Sequence, residues 1–116
     1  MLVVEDNRMN QAIIVKMIAN LGYRCDIAED GFEGYHMARS KKYDLIFMDL
    51  IMPEMDGFES TRKIMEFDKT NLIVAFTADN MPETRKKAEL SGIKEFISKP
   101  VRLEDLKRLF AKYFNK

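Results

Sequence analysis

Only one cysteine, Cys25, occurs in the 116 residues, so no intrachain disulfide is possible. Burial must hold the fold, and a reducing compartment suits it. Charge of one sign is also missing. Nineteen Lys and Arg balance nineteen Asp and Glu, which argues against the basic stripe of a nucleic-acid module. No apolar run approaches the ~20 residues that span a bilayer. Acids at Glu5 and Asp6 follow the first four residues at once, so no signal-peptide pattern opens the chain. Direct contact with nucleic acid or membrane is therefore not expected. Repeats, low-complexity segments and internal linkers are absent too, and the length fits one domain that buries roughly two thirds of its unfolded surface.

What is present is a set of short apolar runs that stop on polar groups. Leu45-Ile46-Phe47-Met48 reads as a strand covered on both faces, and it ends on Asp49 before Pro53 and Gly57 break the chain. A carboxylate set against a buried strand is costly unless it is paired or binds a metal. Met1-Leu2-Val3-Val4 stops on Glu5-Asp6-Asn7, Ile73-Val74-Ala75-Phe76 on Thr77, and Phe96-Ile97-Ser98 on Lys99-Pro100. In a parallel sheet these ends share the edge where open α/β folds place their ligand chemistry.

Between the runs lie helical patterns. Asn7 is the expected N-cap of a helix over 8–21, with Ile13, Met17 and Leu21 on its inner face, Ile14 and Ile18 beside them, and Gly22 at its end. A strand follows over 23–28, with Tyr23, Cys25 and Ile27 alternating. Asp30-Gly31 leads into a helix over 32–40, and the central strand covers 43–48. A helix over 58–67 has Phe58, Ile64 and Phe67 as its expected core side. A strand over 71–76, a helix from Pro82 to Ser91, a strand over 95–98 and a helix over 102–114 complete the alternation. Five strand–helix repeats predict a parallel sheet with helices on both faces. The single histidine, His36, reads as a surface residue of a helix, the nine methionines as adaptable core filler, and Lys107, Arg108 and Lys112 as a solvated face.

Four motifs together carry a family likeness: Glu5-Asp6-Asn7, Met48-Asp49 with Met52-Pro53-Glu54-Met55-Asp56-Gly57, Thr77-Ala78, and Lys99-Pro100. In this order and spacing the sequence resembles the receiver domain of two-component response regulators over its whole length, residues 1–116. The resemblance implies strand order 2-1-3-4-5 and a phosphoacceptor switch. In it Asp49 takes a phosphoryl group from a histidine kinase or a histidine phosphotransfer protein. It also implies Mg²⁺ held by Asp6, Asp49 and the backbone carbonyl of Ile51, with Glu5 acting through water. Thr77 and Lys99 would meet the phosphoryl oxygens. Thr77 and Phe96 would form the switch toward the face made by the fourth helix, the fifth strand and the fifth helix, where a partner or a second copy would dock. A cis Lys99-Pro100 bond is expected on the same ground. No catalytic role falls to Asp56-Gly57, and Asp79 is an acid near the site whose effect on water attack has no predicted sign.

The chain is thus expected to be a switch rather than an enzyme, in the cytoplasm, alone or as the cytoplasmic part of a membrane-anchored sensor kinase. The short first strand, together with Glu5-Asp6-Asn7 and Asn10-Gln11, resembles receivers of hybrid histidine kinases and suggests a domain cut from a longer protein. Three other readings compete. A haloacid-dehalogenase-like phosphatase wants a second aspartate where Ile51 stands. A flavodoxin-like flavin binder would need a phosphate cradle where two acids lie. A degenerate receiver would lack the Asp6, Asp49, Thr77 and Lys99 set.

Overall fold

The computed structural model describes residues 1–114, so the expected domain end at residue 116 lies outside the described residues. Ten elements alternate: β1 (Leu2–Val4), α1 (Arg8–Asn20), β2 (Asp26–Ala28), α2 (Gly31–Ser40), β3 (Ile46–Asp49), α3 (Gly57–Phe67), β4 (Ile73–Thr77), α4 (Pro82–Ser91), β5 (Glu95–Ser98) and α5 (Leu103–Phe114). The five strands form one parallel sheet in the order β2-β1-β3-β4-β5. Both the alternation and the order agree with the expectation.

Side-chain alternation along the strands divides the core in two. Val3, Phe47, Val74, Phe76 and Ile97 face α1 and α5, where they meet Ile14, Ile18, Leu106, Leu109 and Phe110. Leu2, Val4, Ile46, Met48, Ile73 and Ala75 face the other way, toward α2, α3 and α4. A sheet buried on both faces needs apolar residues at consecutive positions, which is why β1, β3 and β4 read as unbroken runs.

The helix starts are set by local chemistry. Asn7, Asp30 and Asp56 each accept the N–H three residues on, from Asn10, Glu33 and Glu59 at 3.0, 2.8 and 2.9 Å. α1 is followed by Gly22 at φ 90° and α4 by Gly92 at φ 107°, conformations that favour glycine. The Lys99-Pro100 bond is cis, as expected.

Several boundaries and faces differ from the expectation. β2 covers three residues only. Tyr23 and Cys25 precede the ladder and pack toward α5, with the Tyr23 ring 4.9 Å from Phe110. Tyr43 and Leu45 are buried but precede β3, whereas Asp49 is within it. β1 starts at Leu2, α2 at Gly31 and α5 at Leu103. Ile13 is not core: it is 47% exposed, because α1 turns the Ile14–Ile18 ridge onto the sheet and leaves Ile13 at its flank. Phe67 ends α3 half exposed, with the Arg39 guanidinium 5.3 Å from its ring.

This difference is measurable by denaturant unfolding. Ile14→Ala should lower stability by roughly 2–5 kcal/mol, as buried Ile truncations do. Ile13→Ala should stay within about 0.5 kcal/mol of the parent, as exposed substitutions do. Equal losses from the two substitutions would contradict the orientation of α1.

Candidate functional site

The carboxyl edge of the sheet collects the polar strand ends. The ladder sets Val4 beside Met48, Asp49 beside Phe76 and Thr77 beside Ser98. Glu5, Asp49, Thr77 and Lys99 therefore emerge along one rim. Glu5, Asp49 and Thr77 are almost fully buried, at 0, 3 and 1% exposure, while Asp6 is exposed.

Lys99 joins the acids. Its Nζ lies 2.8 Å from Glu5 Oε1 and 3.3 Å from Asp49 Oδ2. The second Glu5 oxygen accepts the Asn7 N–H at 3.1 Å, and the Gln11 amide donates to the Glu5 carbonyl at 2.7 Å. Asp49 Oδ1 accepts the Ile51 N–H at 3.3 Å. Carboxylate oxygens of Glu5, Asp6 and Asp49 lie within 4.8 Å of one another. One ammonium pairs with two of the three acids, which leaves the cluster short of positive charge.

The protonation pattern follows. Burial, then the neighbouring Glu5 carboxyl, pushes Asp49 up to about 7. Burial works upward on Glu5 too, but Lys99, the Asn7 N–H and Asp49 outweigh it and hold Glu5 below the usual range. Burial and Glu5 raise Asp6. Burial disfavours the Lys99 ammonium, yet Glu5 and Asp49 more than offset this and keep it charged. The donor set is entirely hard oxygen, and the excess negative charge is what a small divalent cation such as Mg²⁺ relieves. The residues present therefore fit the expected ion.

The other expected site residues are placed as follows. Ile51 lies in the loop between β3 and α3 with its side chain 62% exposed. The Thr77 hydroxyl accepts the Asp79 N–H at 3.2 Å; it is on the rim but bonded to its own loop. Phe96, on β5, is half-buried against the α2–α3–α4 side of the core, with the Arg85 guanidinium 4.7 Å from its ring. His36 lies on the exposed side of α2, away from any expected role.

Some contributors are not visible in the sequence motifs. Gln11 supports the Glu5 backbone from inside α1. Gly57 starts α3 so close to Asp49 that a Cβ there would lie 2.2 Å from the Asp49 carbonyl oxygen. An Asp-Gly pair announces a helix start, but not that the glycine must be bare to let Asp49 seat.

Comparison with known proteins gives a consistent result. The family model described as the response regulator receiver domain matches residues 1–111. Hybrid signal transduction histidine kinase G of Dictyostelium discoideum is 41% identical over 97% of this chain, which spans 3% of that protein. Sensor histidine kinase RcsC of Salmonella typhi is 33% identical over 97% of this chain, which spans 12% of it. The chain thus covers a small part of these curated relatives. Among solved structures, the receiver domain of a sensor histidine kinase from Pseudomonas aeruginosa superposes with a TM-score of 0.90 at 32% identity, covering 99% of this chain and 96% of that one. That structure has a magnesium ion coordinated in the active site cleft. A Saccharomyces cerevisiae response-regulator receiver domain, solved with a histidine phosphotransfer signaling protein, gives 0.89 at 32% identity, covering 97% and 86%.

Lys99 competes with any cation for the three acids. Lys99→Met should therefore bind Mg²⁺ roughly ten- to a hundredfold more tightly, the scale expected for removing a unit charge at this distance from a partly screened site. Calorimetric titration in mildly alkaline buffer reads this directly. Unchanged or weaker binding would contradict the electrostatic reading of the cluster.

Proposed function

Because this chain belongs to the response regulator receiver domain family of two-component signalling, we propose that Asp49 is its phosphoacceptor. The observation that carries the reading is the Lys99 ammonium bridging Glu5 and Asp49 at the rim of the sheet. In the reaction an Asp49 carboxylate oxygen attacks the phosphorus of a phosphohistidine. The new O–P bond forms as the N–P bond breaks, and the electron pair returns to the histidine ring. The product is an aspartyl phosphate.

Asp6, Asp49 and the Ile51 carbonyl would hold Mg²⁺, with Glu5 acting through water; when bound, the ion offsets charge on the transferring group. Lys99 stays charged through the reaction. It exchanges its contact with Asp49 for one with a phosphoryl oxygen while Glu5 keeps it aimed. Thr77 donates its hydroxyl to another phosphoryl oxygen.

Signalling then requires a bistable element, since a phosphate adds only about two charges. Thr77 moving toward the phosphoryl group would free space for Phe96 to turn inward, which reshapes the α4–β5–α5 face. On this face Glu95 is bonded to Lys112 and Tyr113 at 2.6 and 2.5 Å. A partner or a second copy of the chain would read the change, with a coupling of about 1–3 kcal/mol. The donor would be a histidine kinase or a histidine phosphotransfer protein, the latter being the partner in the yeast complex. The chain would act as a switch, not a turnover enzyme, in the cytoplasm and within a longer hybrid histidine kinase. No helix among the described residues is long and apolar enough to cross a membrane.

Acetyl phosphate with Mg²⁺ should place one phosphoryl group on Asp49, located by mass spectrometry. Asp49→Asn and chelation should each prevent it. Incorporation at another residue, or equal incorporation in Asp49→Asn, would remove the basis of the proposal.

A further inference from the structure

Between β4 and α4 the chain turns at Asp79, and this residue organises the hydrogen bonds of the turn. Its N–H donates to Thr77 Oγ1 at 3.2 Å. Its carboxylate accepts the Met81 N–H at 3.0 Å and the Thr84 hydroxyl at 2.8 Å. Met81 is the N-cap residue of α4 but makes no side-chain capping bond. Asp79, two residues upstream, instead ties the turn to the helix through the N–H of the N-cap residue and the Thr84 hydroxyl, and its negative charge suits the positive end of the helix. The bonds form one line from the Thr77 hydroxyl to the first turn of α4. The next residue ties the loop to β5 beside Lys99, with Ser98 donating to Asn80 Oδ1 at 2.5 Å.

This arrangement gives Asp79 a different part from that of an acid facing the phosphate. Its two carboxylate oxygens are engaged by the N–H of Met81, just before α4, and by the Thr84 hydroxyl within it. Its backbone holds the threonine that the phosphoacceptor reading, on which this inference rests, requires to turn toward Asp49.

We propose that Asp79 is a positioning residue that keeps Thr77 in its resting place, and that the α4 cap sets how readily Thr77 is released. When the cap is intact, Thr77, the loop and α4 stay together. When the Thr84 bond is lost, the loop yields more easily, and the form with Thr77 at the phosphoryl group gains. One hydrogen bond of ordinary net strength corresponds to a shift of about fivefold. A partner that contacts Thr84 or the first turn of α4 would act on the chemistry at Asp49 without reaching it.

Thr84→Val tests this, because it keeps the shape of the side chain and removes only the hydroxyl, on a residue outside the reacting set. The first readout is the NMR spectrum of the phosphate-free chain. Thr84→Val should move the Thr77 methyl and Asp79 amide signals and leave Leu106 in place; Thr84→Ser should restore them. The second readout is beryllofluoride affinity with Mg²⁺, expected to be about fivefold tighter in Thr84→Val and parent-like in Thr84→Ser. Unmoved Thr77 signals, or unchanged or weaker beryllofluoride binding beside a lowered melting temperature, would overturn the proposal and leave the cap purely structural. If the parent itself does not bind beryllofluoride while Thr84→Val still moves the Thr77 signals, the phosphoacceptor reading fails and the link from α4 to Thr77 stands.

Discussion

One ammonium holds two buried carboxyls at the edge of the sheet, and the rest of the site depends on that contact. Lys99 lies 2.8 Å from Glu5 and 3.3 Å from Asp49. Neither acid has solvent to stabilise it, so each needs a partner, and burying charge without one is costly. Asp6 adds a third carboxyl nearby. The cluster is thus compact, over-supplied with negative charge, and aimed outward only where Asp6 is exposed. An excess of hard carboxylate oxygens of this kind attracts a small divalent cation.

The fold supplies that contact through parallel register. Glu5 and Lys99 are 94 residues apart in sequence and meet because β1, β3, β4 and β5 end on the same rim. Close approaches keep the rim tight. Gly57 admits the Asp49 backbone, and Gly34 on α2 lies so near β1 that a Cβ would sit 2.7 Å from a Val4 methyl. These glycines have no chemistry of their own. They let the helices α2 and α3 approach the acid-bearing strands closely.

Much of this is legible in the amino-acid sequence. The four apolar runs, the acids after the first and third, and Thr77 and Lys99 after the fourth and fifth marked both the sheet and the rim where these polar groups gather. Asn7, Asp30, Pro82, Gly22 and Gly92 marked helix ends by side-chain and backbone chemistry that acts within a few residues. What escaped depends on the rotation of elements and on contacts between distant segments. Periodicity put Ile13 on the inner face of α1 with Ile14 beside it, whereas packing against Val3 and Phe47 turns Ile14 inward and leaves Ile13 at the flank. Alternation through Tyr23 and Cys25 suggested a longer β2, but these side chains answer to α5. The Lys99–Glu5 pair was hidden because the family likeness assigns each residue a part toward the ion or the phosphate, whereas here they serve each other. Asp79 read as a site acid because of its place after Thr77. Its commitment to Met81 and Thr84 appears only once α4 is positioned.

A crystal structure of the chain with Mg²⁺ and beryllofluoride is the decisive measurement. The beryllium group should lie on an Asp49 carboxylate oxygen and the ion against Asp6 and Asp49. Lys99 should turn from Asp49 to a fluoride while still held by Glu5. A bare Asp49 with Lys99 still bridging the two acids, or an ion bound away from this rim, would contradict the phosphoacceptor reading.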